Sequence, residues 1–224
     1  VMTHVGIARK SRGAKLAVID VYHTSTMKQA DHGYILRPGT DGALACAIMH
    51  VLLRDGLADR DYMDKFTDDP KGLEQHLESK TPEWAASICG LAAERIIEFA
   101  HLIGKTKRTY FRLGYGFTRS RNGAANMHAV TSIPAVTGAW QHEGGGALHS
   151  GSGMYKWNKT LIEGKDRPAK SRVMDQSRIG EVLCGNPVDL HGGPEVKAIF
   201  IQNTNPASVA PDQTRVKRGF ARED

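Results

Sequence analysis

Leu44, Ile48, Val51 and Leu52 recur at i, i+4, i+7 and i+8, the spacing that lines one face of an α-helix. A helix is therefore predicted over residues 42–55, stopped by Gly56. The same period sets Ile96, Ile97, Ala100 and Ile103 toward a core in a helix over 92–103. Residues 3–13 read as a helix terminated by Gly13, and 122–137 as another with Gly138 beyond its end. Shorter helices are expected over 60–66 and 72–80, and a helical turn or two over 26–31. Thr81-Pro82-Glu83-Trp84 has the order of an N-cap followed by proline at the first helical position.

Apolar runs without that period lie between the helices, at 15–20, 34–36, 109–113 and 198–202. A short continuous apolar run closed by an acid or by turn residues is how a strand buried on both faces reads. Strands and helices alternate, so the expected fold class is α/β: a doubly wound, mostly parallel sheet with helices on both faces, Rossmann-like in kind. Residues 143–194 are glycine-rich and weakly periodic. The expected organisation is an α/β domain over 1–142, a glycine-rich wrapping loop of the same domain over 143–197, and the first strand and helix start of an adjoining domain over 198–224. The chain opens inside a helical pattern and closes on Arg222-Glu223-Asp224 without a stop signal, so both ends read as cuts.

A hydrophobic fraction of 40% and a charged fraction of 24% are those of a soluble globular protein. No apolar run approaches the ~18 residues of a membrane span. The net charge of +6 admits a polyanionic partner, but the basic residues are spread out, apart from Lys105-Lys107-Arg108 and Arg215-Lys217-Arg218. A phosphate-bearing dinucleotide fits equally well and needs fewer charges than nucleic acid, which is the weaker expectation. Cys46, Cys89 and Cys184 stand far apart, and the ten histidines show no ligand spacing. No metal site is expected in this chain.

Ligands of open parallel sheets sit beyond the carboxyl ends of the strands, and three such ends carry polar or glycine-rich sequence. Asp20-Val21-Tyr22-His23-Thr24 offers a carboxylate that can accept from ribose hydroxyls or act as a turn aspartate. Pro38-Gly39-Thr40-Asp41 opens a helix: Gly39 allows close backbone approach, while Asp41 can either meet the N1–H and N2–H₂ edge of a guanine or cap the helix, as can Thr40. Gly114-Tyr115-Gly116-Phe117-Thr118-Arg119 has arginine where a nicotinamide fingerprint wants glycine; Arg119 can pair with a diphosphate or be a solvated surface residue. His142-Glu143 and Ser150 are isolated polar candidates without visible partners.

Taken in order, Lys15-Leu16-Ala17-Val18-Ile19-Asp20, Thr24, Ala30-Asp31 and Arg37-Pro38-Gly39-Thr40-Asp41-Gly42-Ala43-Leu44 resemble the molybdopterin oxidoreductases of the dimethyl sulfoxide reductase and formate dehydrogenase type. The common form there is I-D-P-R-x-T at a strand end, then A-D, then P-G-T-D-x-A-L, and the two acids here keep that family's separation. The likeness continues through Thr81-Pro82-Glu83-Trp84-Ala85, the turn at 114–123, Thr137-Gly138, Gly144-Gly145-Gly146 and Asn203-Thr204-Asn205-Pro206, essentially the whole chain.

The resemblance implies an internal fragment of a molybdenum-dependent dehydrogenase or reductase, inactive alone. The whole enzyme would hold molybdenum, or tungsten, between two molybdopterin guanine dinucleotides, with a 4Fe-4S cluster in the missing N-terminal part. By matched position, Asp20, Val21, Tyr22, His23, Thr24, Gly39, Thr40 and Asp41 would line a guanosine pocket, with Asp20 on ribose and Asp41 on guanine. Tyr115 and Arg119 would approach the same cofactor, and Asn203 or Asn205 would mark the return to a central domain. No residue of this chain is expected to be catalytic or to ligate the metal. Expected partners are the remaining domains, a small-molecule substrate and an electron-transfer subunit, with no nucleic acid and no membrane segment; the bacterial cytoplasm is expected over the periplasm. Val21 and Tyr22 depart from the usual Pro-Arg, which removes a cation near the phosphates and leaves Lys28 or Arg37 as substitutes. The alternative is a stand-alone module that carries the pterin nucleotide without redox activity.

Overall fold

The computed structural model describes residues 2–149, 155–164, 166–167 and 171–223. They fall into two units, 1–155 and 156–224. The first is built around α2 (Asp41–Arg54), against which α5 (Pro82–Cys89), α6 (Ala93–Gly104) and α7 (Gly123–Val136) pack. Its predicted face is the buried one: Leu44, Ile48, Val51 and Leu52 are each at most 4% exposed. Ile96, Ala100 and Ile103 of α6 are buried as expected, whereas Ile97 is only partly covered and Phe99 takes the inner position instead. The Phe99 ring stacks on Tyr34 with centroids 4.4 Å apart.

α1 (Met2–Arg12) leads into β1 (Ala17–Asp20), which pairs in parallel with β2 (His32–Ile35). The connection holds only a 3-10 turn, Met27–Gln29. Asp31 fastens the amino end of this pair: its carboxylate accepts from the Leu16 amide at 2.8 Å and from Arg9 at 2.9 Å. Those bonds hold the Asp31 carboxyl below its ordinary pKa, the Leu16 amide contributing most. The Ala30-Asp31 motif is thus a brace, at the end of the strands opposite Asp20.

α3 (Arg60–Phe66) and α4 (Pro70–Leu77) cover the lower part of the unit. Their caps, Asp59 on Tyr62 and Asp69 on Gly72, and the Thr81 cap of α5 on Trp84, show why short polar-led segments fold as helices. β3 (Tyr110–Arg112), α7 and β4 (Gly146–Leu148) then form a βαβ unit whose strands are parallel. Among the described residues the strands make two separate parallel pairs, β1–β2 and β3–β4.

The expected wrapping loop at 143–197 is not structureless. It holds β4, α8 (Lys159–Glu163) and α9 (Ile179–Leu183). Gly146 explains why β4 escapes a periodicity argument: at φ +99° its Cβ would lie 2.4 Å from Cε3 of Trp140, so glycine marks close packing there. Ser150 lies outside the described residues.

The second unit contains α8, α9, α10 (Pro206–Val209) and α11 (Gln213–Phe220). α9 packs on α11 around Val182, Leu183 and Val216. The Arg178 guanidinium grips both Asp189 oxygens, at 2.9 and 3.0 Å, and Glu181 pairs with Arg215. The run 198–202, read as a strand, is not one here. An apolar run becomes a strand only where a neighbouring strand satisfies its backbone, and none of the described strands does so. Phe200 is 89% exposed.

Candidate functional site

Asp20 is the last residue of β1 and pairs in register with Ile35, the last of β2. The chain leaves β2 through Leu36, whose amide donates to the Asp20 carbonyl at 3.0 Å, and reaches the turn before α2. Gly39 sits in that turn at φ +79°, a conformation that favours glycine. Thr40 is the N-cap residue but makes no capping bond; its hydroxyl donates back to the Arg37 carbonyl at 2.6 Å. Asp41 begins the helix. Thr40 therefore does not cap the helix through its side chain, whereas the Asp41 carboxylate meets its own first-turn amide.

Asp41 is partly buried, and no other described side chain hydrogen-bonds its carboxylate. Burial pushes its pKa up, a bond from its own amide opposes this, and the negative charge of Asp20 pushes it up further. The charge of Asp20 is thus felt at Asp41. Asp20 accepts from the Val21 amide at 2.8 Å through one oxygen. Val21 and Tyr22 are 47% and 64% exposed beyond it, and His23 is exposed. Thr24 has a local duty, its hydroxyl accepting from the Met27 amide at 3.2 Å to start the 3-10 turn.

Asn126 on α7 had no signal in the sequence beyond being polar in a helix, yet it is 1% exposed. Its Oδ1 accepts from the Gly42 amide at 3.1 Å and its Nδ2 donates to the Gly39 carbonyl at 3.3 Å. Asn122 adds a second bond to the Gly39 carbonyl at 3.0 Å and donates to Asn126 Oδ1 at 3.2 Å. Ser120 donates to Asn122 Oδ1 at 3.1 Å and accepts from Asn126 at 3.4 Å. This network ties the turn at 37–42 to the turn at 114–122. Two of the three strand ends singled out in the sequence thus meet through amide side chains. A buried asparagine with both ends satisfied fixes geometry because each bond lost would leave a group unpaired.

Tyr115 stands at the start of the second turn, 53% exposed, with its ring edge-on to His149 at 4.4 Å. Arg119 and Arg121 are exposed and make no ion pair among the described residues. Arg37, a proposed replacement for the missing phosphate cation, is committed elsewhere. Its guanidinium donates to the Ser87 and Ile88 carbonyls at 2.9 and 3.3 Å, closing the carboxyl end of α5. Asn203 and Asn205 belong to the second unit. Asn203 has φ +54°, and Asn205 precedes α10 without a side-chain cap. A hollow of about 400 Å³ lined by His32, Tyr34, Glu98 and His101 opens at the amino end of β2, the wrong end of the strands for these acids. No cluster of metal-ligating side chains occurs among the described residues, and no helix there is long and apolar enough to cross a membrane.

The family model described as molybdopterin oxidoreductase matches residues 2–224. The "Probable oxidoreductase YoaE" of Bacillus subtilis is 35% identical over 227 residues, covering 100% of this chain and 32% of the relative. The dimethyl sulfoxide reductase DmsA of Haemophilus influenzae is 35% identical over 151 residues, with 58% of this chain and 19% of the relative covered. The F420-dependent formate dehydrogenase 1 subunit alpha of Methanococcus maripaludis is 35% identical over 132 residues, with 59% and 20% covered. The chain thus spans a third or less of the length of these relatives. Among solved structures, acetylene hydratase from Pelobacter acetylenicus matches with a TM-score of 0.51 at 22% identity, over 62% of this chain and 19% of that one, a likeness of fold. The extent of the family match and the relatives that share it together establish that the chain belongs to the molybdopterin oxidoreductase family.

Proposed function

We propose that this chain grips the guanosine end of one molybdopterin guanine dinucleotide within a larger molybdenum- or tungsten-dependent oxidoreductase. The observation that carries this reading is the Asp41 carboxylate, partly buried, without a side-chain partner among the described residues and under the influence of a second acid, Asp20. Burying a carboxylate met only by its own amide is unfavourable unless further donors reach it. The N1–H and N2–H₂ groups of guanine are two coplanar donors that match its two oxygens. Asp20, with one oxygen on its own strand end, suits the ribose hydroxyls. The residues present therefore fit a guanine nucleoside.

When bound, the cofactor supplies two-electron chemistry at its metal. The role of this chain is to bind and orient. Gly39 admits the ligand close to the backbone, and Asn122 and Asn126 hold that backbone in place. In this reading the metal ligand, the 4Fe-4S cluster, the second dinucleotide half and the electron-transfer partner belong to the rest of the protein. The two parallel strand pairs would be parts of one doubly wound, Rossmann-like layer, and 198–224 would begin a central domain. Substrates named for the relatives, dimethyl sulfoxide among them, are candidates for the whole enzyme. The stand-alone carrier is the less favoured reading, since the relatives are named as oxidoreductases, reductases and dehydrogenases.

Asp41→Ala tests the assignment by calorimetric titration with guanosine and adenosine monophosphates. A bidentate carboxylate–base pair contributes about 1–3 kcal/mol of discrimination. The variant should therefore lose roughly 10- to 100-fold in guanosine nucleotide affinity while adenosine nucleotide binding changes little. Equal losses for both nucleotides would remove guanine reading from Asp41.

A further inference from the structure

Among the described residues, Nε2 of His149 is the only buried side-chain nitrogen or oxygen without a hydrogen-bond partner. Leaving such a group unpaired is unfavourable, so an orphan in an otherwise well-paired unit points to a partner from outside. His149 is the residue just beyond β4, at the carboxyl end of the β3–β4 pair, where parallel sheets place their ligands.

The residue is held firmly. Nη1 of Arg112 donates to its carbonyl at 2.5 Å and also to the carbonyls of Leu113 and Leu148, which locks the ends of both strands together. The imidazole rests edge-on against Tyr115, ring centroids 4.4 Å apart and planes at 61°. Tyr115 opens the turn that carries Arg119 and Arg121, which make no ion pair among the described residues, and that ends in Asn122, bonded to the Gly39 carbonyl two residues before Asp41. A ligand lying along this turn from the acids toward His149 meets donors and positive charge, which suits an anion.

We propose that the Nε2–H of His149 donates to an oxygen of the dinucleotide's diphosphate, making His149 a phosphate-binding residue beside Tyr115. This rests on the guanosine reading above and extends it from the base to the phosphates. The Nε2–H tautomer is the one required, because the neutral imidazole donates from only one nitrogen.

The test uses the 224-residue chain with three probes: guanosine diphosphate, guanosine and inorganic pyrophosphate. Guanosine diphosphate and pyrophosphate should shift the His149 Nε2 resonance in ¹⁵N-detected spectra, and guanosine should leave it in place. His149→Phe, which keeps a flat ring against Tyr115, should weaken guanosine diphosphate binding about 10-fold or more and leave guanosine binding unchanged. His149→Gln, which returns an amide donor near the Nε2 position, should recover most of that loss. Without nucleotide, His149→Phe should melt at or above the wild-type temperature, because it removes an unpaired buried nitrogen. A lower melting temperature, or unchanged diphosphate affinity, would overturn the proposal. Asp41-dependent guanosine binding that survives either result would leave the guanosine reading standing; wild-type chain that binds neither guanosine nor its diphosphate would remove both.

Discussion

Asn126 and Gly42 offer a prediction whose sign changes with genetic background. Asn126→Ala removes the acceptor of the Gly42 amide and a donor to the Gly39 carbonyl, which keeps its second bond from Asn122. One orphaned amide together with a small cavity at a site 1% exposed should destabilise the fold by about 2–4 kcal/mol. Gly42→Ala alone places a Cβ 2.7 Å from Asn126 Oδ1 and 3.6 Å from its Cα. That oxygen belongs to a side chain held at both ends, so it does not yield cheaply, and the substitution should cost about 1–3 kcal/mol. In the Asn126→Ala background the obstruction is gone and alanine's helix preference, up to ~1 kcal/mol over glycine, is all that remains. Gly42→Ala should then be neutral or stabilising. Urea unfolding of the wild type, both single variants and the double variant measures the cycle, with a constant m-value as the check on two-state behaviour. Energies that add within ~0.5 kcal/mol would refute the claim that Asn126 is what constrains the turn.

Three further outcomes follow from the geometry. Asp55 accepts from Arg54 and from His101, bonds that hold its carboxyl far below the ordinary range, with Arg54 the larger influence. A depressed carboxyl stabilises the fold above its unfolded pKa and loses that contribution as pH falls through and below the range near ~4. The melting-temperature gap between wild type and Asp55→Asn should therefore close on acidification, and a gap independent of pH would contradict it. Gly146→Ala, at φ +99° and against Trp140, should destabilise by about 3 kcal/mol or more in chemical denaturation. Arg37→Met should lower stability by about 1–2 kcal/mol through the uncapped carbonyls of α5, yet leave guanosine nucleotide affinity unchanged in titration calorimetry.

Much of the first unit was readable in the sequence because local rules and tertiary packing agree there. The face of α2, the bounds of α3 and the Thr81-Pro82 start of α5 follow from period and capping alone. β4 was missed since a three-residue strand containing a glycine has no periodicity to show. The run at 198–202 misled in the opposite direction: its apolar composition is a strand's, but strand formation depends on a partner that lies elsewhere. Asp20 and Asp41 were singled out through ordered motifs. Asn126 and His149 were not, because their importance lies in which atoms are buried and which are paired, and neither property appears in residue type. Arg37 shows the reverse error, a cation whose position suggested phosphate while its reach is spent on a helix end.

The Gly42 amide belongs to the first turn of α2, where backbone donors have no partner within their own helix. Its proton is covered instead by a carbonyl oxygen eighty-four residues further along the chain. Hydrogen exchange at this one position therefore times the departure of α7 rather than the fraying of α2. A single slowly exchanging proton becomes a clock for the docking of a distant element, and any ligand that clamps the two turns together should slow it.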